Sequence, residues 1–174
     1  MDQSNTNRQE VYFQLLSGLD ELVRLYRTLL DLMVREKDIL IQVDLDKIQE
    51  SNQAKELLLH KIRQADAERE KHAIELTKII GGDIRQPRLL EIAKKMKSDE
   101  AVKLKSVHTA LDLLLRQITE QNNENEKYAA SALNIFNGAL GDIKDSLIGK
   151  KTYGKKGVMT EGAEKSGNFV SKEA

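Results

Sequence analysis

The sequence predicts an all-α protein: an elongated antiparallel helical hairpin or bundle of three to four long helices with coiled-coil-like packing and a disordered C-terminal tail. Three observations predict it. Apolar residues recur with a period near 3.5, since Tyr12, Leu16, Leu19, Val23, Tyr26, Leu30 and Met33 alternate steps of 4 and 3. Charged residues are 32% of the 174 and aromatics only 4%, which suits thin seams of Leu and Ile rather than a thick aromatic core. There is a single proline, and five of the ten glycines lie from Gly149 onward, leaving long stretches free of helix breakers.

A first helix is expected from about residue 7 to 42, with Asn7 or Ser4 as its cap. Asp44-Leu45-Asp46-Lys47 then interrupts the pattern, and Asp46 with Gln49 has the spacing of a capping box for a second helix. No Gly or Pro stands at this break, so a kink and a tight hairpin fit equally. The second helix carries Ile48, Leu58, Ile62, Ala65, Leu76 and Ile79 or Ile80 on one face and ends at Gly81-Gly82. Pro87 suits the first turn of the next helix, and Ser98-Asp99-Glu100 offers another start, which sets off 87–97 as a short separate helix. From Asp99 to about Ile148 the pattern is long: Leu104, Val107, Leu111, Leu115, Ile118, Asn122, Asn125, Ala129, Ala132, Phe136, Ala139 and Ile143.

Two layouts satisfy these lengths. At ~1.5 Å per residue the last helix spans roughly 75 Å against about 50 Å for each of the first two. Helices one and two laid end to end as a kinked arm, with the last returning antiparallel, would gather Tyr12, Phe13, Tyr26, Tyr128 and Phe136 at one end, which favours that layout. The other layout is a three- or four-helix bundle from which the end of the last helix projects. In both, residues 1–149 form a helical domain and 150–174 a flexible basic tail rich in Gly and Lys. The tail holds six of the 28 basic residues and three of the 28 acidic ones, so it carries +3 and the body −3.

Composition also excludes functions. Without cysteine there is no disulfide, thiol catalysis or thiolate metal site. No apolar run reaches the ~18 residues of a membrane span and no leader pattern opens the chain, so a cytoplasmic protein without stable membrane insertion is expected. A mildly acidic body does not fit a nucleic-acid platform. Gly149-Lys-Lys-Thr-Tyr-Gly-Lys-Lys156 approaches a phosphate-binding loop but has Lys156 where that loop needs a hydroxyl for magnesium, and it follows a helix rather than a strand. His60, His72 and His108 lack the spacing of a zinc helix, and His72 and His108 are expected to be satisfied by hydrogen bonds across the seam. No enzyme, cofactor or metal site is therefore expected.

Polar residues within the seam carry more information. Gln121, Asn122 and Asn125 interrupt the last helix, and Arg69 with His72 the second. Asn122 and Asn125 read as register-setting amides, because a buried amide must find its partner; the alternative is a weak point where the helices open. Beyond them Ala129, Ala132, Leu133, Phe136, Ala139, Leu140, Ile143 and Leu147 form an apolar stripe that either packs internally or receives a partner helix. Seams left uncovered would also allow two copies to pair as a homodimer.

The run Leu22-Val-Arg-Leu-Tyr-Arg-Thr-Leu-Leu-Asp-Leu-Met-Val-Arg-Glu36-Lys-Asp-Ile-Leu40, followed by Asp44-Leu-Asp-Lys-Ile48 and Lys55-Glu-Leu-Leu, an Arg-rich second helix, Asn122-x-x-Asn125 and Thr152-Tyr-Gly-x-x-Gly157, resembles FlgN, the flagellar type III export chaperones, over roughly residues 12–157. The resemblance implies a chaperone that binds the hook–filament junction proteins FlgK and FlgL in the cytoplasm, keeps them unassembled and delivers them to the export gate. It implies substrate binding by Tyr128, Ala132, Leu133, Phe136, Leu140, Ile143 and Leu147, and docking to the export gate by the element around Tyr153, Gly154 and Gly157. The plain alternative is a structural coiled-coil adaptor or oligomerisation protein.

Overall fold

The computed structural model describes residues 3–147. The elements are α1 (Gln3–Gln42), α2 (Leu45–Ile79), α3 (Leu89–Lys95) and α4 (Ser98–Leu147), with no strand among the described residues. They form an all-α fold of three long helices and one short one. The chain divides into two compact units, Met1–Ala132 and Leu133–Ala174.

In the first unit the break after α1 is a tight hairpin. Val43 donates its N–H to the Leu40 carbonyl at 3.2 Å and Asp44 to that of Ile39 at 3.5 Å, the paired closing bonds of a Schellman turn. Val43 takes the left-handed position of that turn at φ 54°, where glycine is the usual occupant. The cap of α2 is Asp44, not Asp46: its carboxylate accepts from the Lys47 N–H at 3.1 Å. At the far end, α2 stops as expected. Gly81 sits at φ 67°, with Gly82 N–H to the Thr77 carbonyl at 2.8 Å and Gly81 N–H to that of Lys78 at 3.2 Å. The short helix before Ser98 is present as α3, although Pro87 precedes its Arg88 cap rather than entering its first turn.

The hairpin makes α1 and α2 antiparallel, and α4 runs parallel to α1. Arg8 grips Glu100 through two bonds of 2.9 and 3.2 Å, and Lys37 meets Glu124 at 2.7 Å, so both helices advance together. The end-to-end arm is therefore corrected to a bundle. The aromatics do not gather either. Tyr12 donates to the Glu100 carbonyl at 3.4 Å near the start of α4, whereas Tyr128 lies under the Lys37 ammonium 5.3 Å from its ring centroid. The Arg8 hydrogen bond holds Glu100 below its ordinary pKa, and burial raises that of Tyr12.

Packing follows a strict heptad, but not on every track the periodicity suggested. In α1 the buried positions are Tyr12, Leu19, Met33 and Leu40 on one track and Leu15, Leu22, Leu29 and Glu36 on the other, with Val11 buried beside them near the start of the helix. Leu16, Val23 and Leu30 are only half-buried flanks. In α4 Leu104, Leu114, Asn125 and Ala132 are buried, while Leu115 is 44% exposed. The packed track therefore steps from Leu111 through Leu114 to Ile118, by 3 and 4, rather than through the expected Leu115. One apolar cluster joins Tyr12, Leu15 and Leu19 to Leu76, Ile92 and Leu104, and a second joins Leu22, Leu29 and Met33 to Ile62.

Below the second cluster the track turns polar. Glu36, 5% exposed, occupies a heptad position and is met from both other helices. Lys55 of α2 bonds its Oε1, and the Asn125 amide of α4 donates to its Oε2 at 3.0 Å and to the Met33 carbonyl at 2.7 Å. Gln121 donates to Asn125 Oδ1 at 2.9 Å. The two asparagines thus differ. Asn125 is buried in this cluster, whereas Asn122 is exposed and bonds only Glu126 of its own helix at 2.7 Å.

In the second unit the described residues are the last part of α4. Every side chain from Leu133 to Lys144 is exposed.

Two outcomes are expected. Val43→Gly relieves the left-handed strain of a β-branched residue, raising stability by about 1 kcal/mol and the midpoint of thermal unfolding by about 2–4 °C; an unchanged or lower midpoint would show that Val43 is not strained. Asn125→Ala costs about 2 kcal/mol in denaturant unfolding because it strips a donor from a buried carboxylate. Replacing Glu36, Lys55 and Asn125 together by Leu, Met and Leu costs less than that single change. A triple variant less stable than Asn125→Ala would contradict this view of the cluster.

Candidate partner-binding site

Long helices joined by short turns leave little room for an enclosed site. The hollow between the end of α2 and α3, bordered by Thr77, Pro87, Arg88 and Ile92, is about 210 Å³, below the size that encloses a typical ligand. Other depressions are open troughs beside solvated side chains such as Gln53, Glu56, His60 and Arg63. Among the described residues no group of three or more His, Asp or Glu is placed to hold a metal ion. The His72 Nδ1 is buried without a hydrogen-bond partner, so the expected bond across the seam is not made.

The accessible apolar surface of α4 is a better candidate. Leu133 is 59% exposed, Leu140 49% and Ile143 56%, with Phe136 the one aromatic among them. Their spacing of 3, 4 and 3 puts them on one helical face. Stepped back by sevens, this face passes through Glu126, Ala129 and Asn122, all exposed, so it lies beside the track of Asn125 and Ala132 that is buried in the first unit. Such a surface recognises a helix by burial, with no group placed for chemistry.

The expected residues do not all share this surface. Ala132 is buried and Tyr128 half-buried against Lys37, so neither presents its side chain freely. Leu133, Phe136, Leu140 and Ile143 are exposed together. The Leu147 side chain and all of Tyr153, Gly154 and Gly157 lie outside the described residues. Ile135, 61% exposed on a neighbouring face, was not anticipated, and neither was the buried pair Glu36 and Lys55. Continuing the track Leu15, Leu22, Leu29 by seven residues would have pointed to Glu36.

No helix among the described residues is long and apolar enough to cross a membrane. Comparison with curated proteins and with solved structures gives no match. The family model described as FlgN protein matches residues 11–161, most of the chain and all of the candidate surface. FlgN is a chaperone family rather than an enzyme family, in keeping with a site made of exposed Leu, Phe and Ile. By that match the chain belongs to the FlgN family of flagellar export chaperones.

Proposed function

We propose that this protein is a cytoplasmic chaperone for hook–filament junction proteins of the FlgK and FlgL kind, which it keeps soluble and unassembled and delivers to the type III export apparatus. The observation that carries the reading is the exposed stripe Leu133, Phe136, Leu140 and Ile143 on a chain of this family. An apolar helix face binds an amphipathic helix by covering it, and the terminal helices of assembly-prone subunits are of that type. Phe136 is the anchor, because a large aromatic buried on binding contributes most per residue. Tyr128, Ala132 and Leu147 extend the same stretch of chain, the first two as its support.

In this reading residues 1–149 are the chaperone body and 150–174 the tail, with Tyr153, Gly154 and Gly157 docking to the export gate. Asn125 fixes the register of α4 against α1, whereas Asn122, exposed and bonded within its own helix, has no part in it. No cofactor or metal takes part. A second copy of the chain competes for the same apolar face, and a purely structural adaptor would use the stripe for that pairing alone.

Titration calorimetry with FlgK- and FlgL-type proteins tests the reading. Binding at micromolar concentration or tighter is expected, and Phe136→Ala weakens it by tenfold or more, on the order of 2 kcal/mol, with helicity preserved. No binding, together with concentration-dependent dimerisation through the stripe, would support the adaptor instead. Truncation after Ile148 leaves substrate affinity unchanged but lowers secretion of the junction proteins. Equal loss of binding and secretion would remove the separate docking role of Tyr153.

A further inference from the structure

Asn134-Ile-Phe-Asn-Gly-Ala-Leu-Gly141 places two asparagines and two glycines in eight consecutive positions of α4. Glycine lowers the weight of a helical position about fivefold relative to alanine, and asparagine lowers it less. Elsewhere α4 offsets poor formers by burying its apolar track, but from Leu133 to Lys144 every side chain is exposed. Packing gives no reason for the glycines. Neither has a positive φ, and a methyl at either would meet nothing within 4 Å among the described residues. By the 3.6-residue period both lie on the side turned away from Leu133, Phe136, Leu140 and Ile143.

We infer that Gly138 and Gly141 set the affinity of the stripe by holding residues 133–147 in a helix–coil equilibrium, so that part of each binding event goes into ordering the helix. The inference rests on the stripe being the site for a partner's amphipathic helix. The apparent dissociation constant is the intrinsic one divided by the fraction of chains already helical. Two glycines on the outer side thus weaken binding without touching a contact. A carrier that must release its cargo gains from such a setting, since the complex comes apart as the helix frays.

The test uses the full chain with Gly138→Ala, Gly141→Ala and both together, titrated against the FlgK-type subunit. Affinity rises about fivefold for each single change and up to about 25-fold for the pair, and far-ultraviolet circular dichroism of the free chain shows a parallel gain in helix. Asp142→Gly, also away from the stripe, binds about fivefold more weakly than Asp142→Ala. Amide hydrogen exchange of the free parent is faster over 133–144 than over 104–125. Equal protection of the two stretches, or a double variant that binds no tighter than the parent, would overturn the inference. A parent chain that binds no junction protein would instead defeat the functional reading, and the exchange measurement would still decide the helix–coil question.

Discussion

The arrangement of the first unit depends on satisfying one carboxylate held almost out of water. Glu36 cannot be hydrated where it stands, so α2 and α4 must each bring a donor to its level, Lys55 from one side and Asn125 from the other. A slip of α4 by one heptad would carry Ile118 or Ala132 there, and the same slip of α2 would bring Ile48 or Ile62. All four are apolar. The apolar clusters around Leu19 and Met33 would tolerate either displacement, since leucine follows leucine along the track. Apolar burial supplies the bulk of the driving force without choosing a level, and the polar cluster chooses it at some cost in stability.

This separation of tasks continues along α4. Where the helix is packed, its polar residues have partners: Asn125 with Glu36 and the Met33 carbonyl, Glu124 with Lys37. Beyond Ala132 the helix keeps the apolar rhythm without a covering surface. A chaperone of aggregation-prone helices needs an apolar face in reserve, and that face must not aggregate itself. Apart from Ile135, the positions off the strip from Asn134 to Asp142 are small or polar, which limits the exposed apolar surface.

Much of this was legible in the sequence, and the misses have physical causes. The 3.5-residue repeat identified three long helices, and Gly81-Gly82 with Ser98 marked α3 and the start of α4. The hairpin after α1 reads no better than a kink in the sequence, because a valine occupies the left-handed position that glycine normally advertises. The layout was misjudged because aromatic clustering is a weak force beside hairpin closure. In α1 the core residue alternates with its neighbour on a broad stripe, so Leu16 and Leu15 fit the repeat about equally, and only contact with two other helices favours Leu15. Glu36 and Lys55 escaped notice because a charged residue reads as surface until its partner is placed. The stripe is visible in the sequence as a pattern, and a projecting helix end is one of its two readings; the repeat does not choose between them, since the same residues would serve equally well inside a core.

The parallel course of α1 and α4 has a practical side. Arg8 stands beside Glu100, so the beginning of α1 lies at the α3 end of the first unit. From Glu100 to Ala132, where the helix leaves that unit, is 32 residues of α4, on the order of 48 Å along the axis. An affinity handle or fluorophore fused ahead of Arg8 therefore sits about that far from the point where the apolar strip begins.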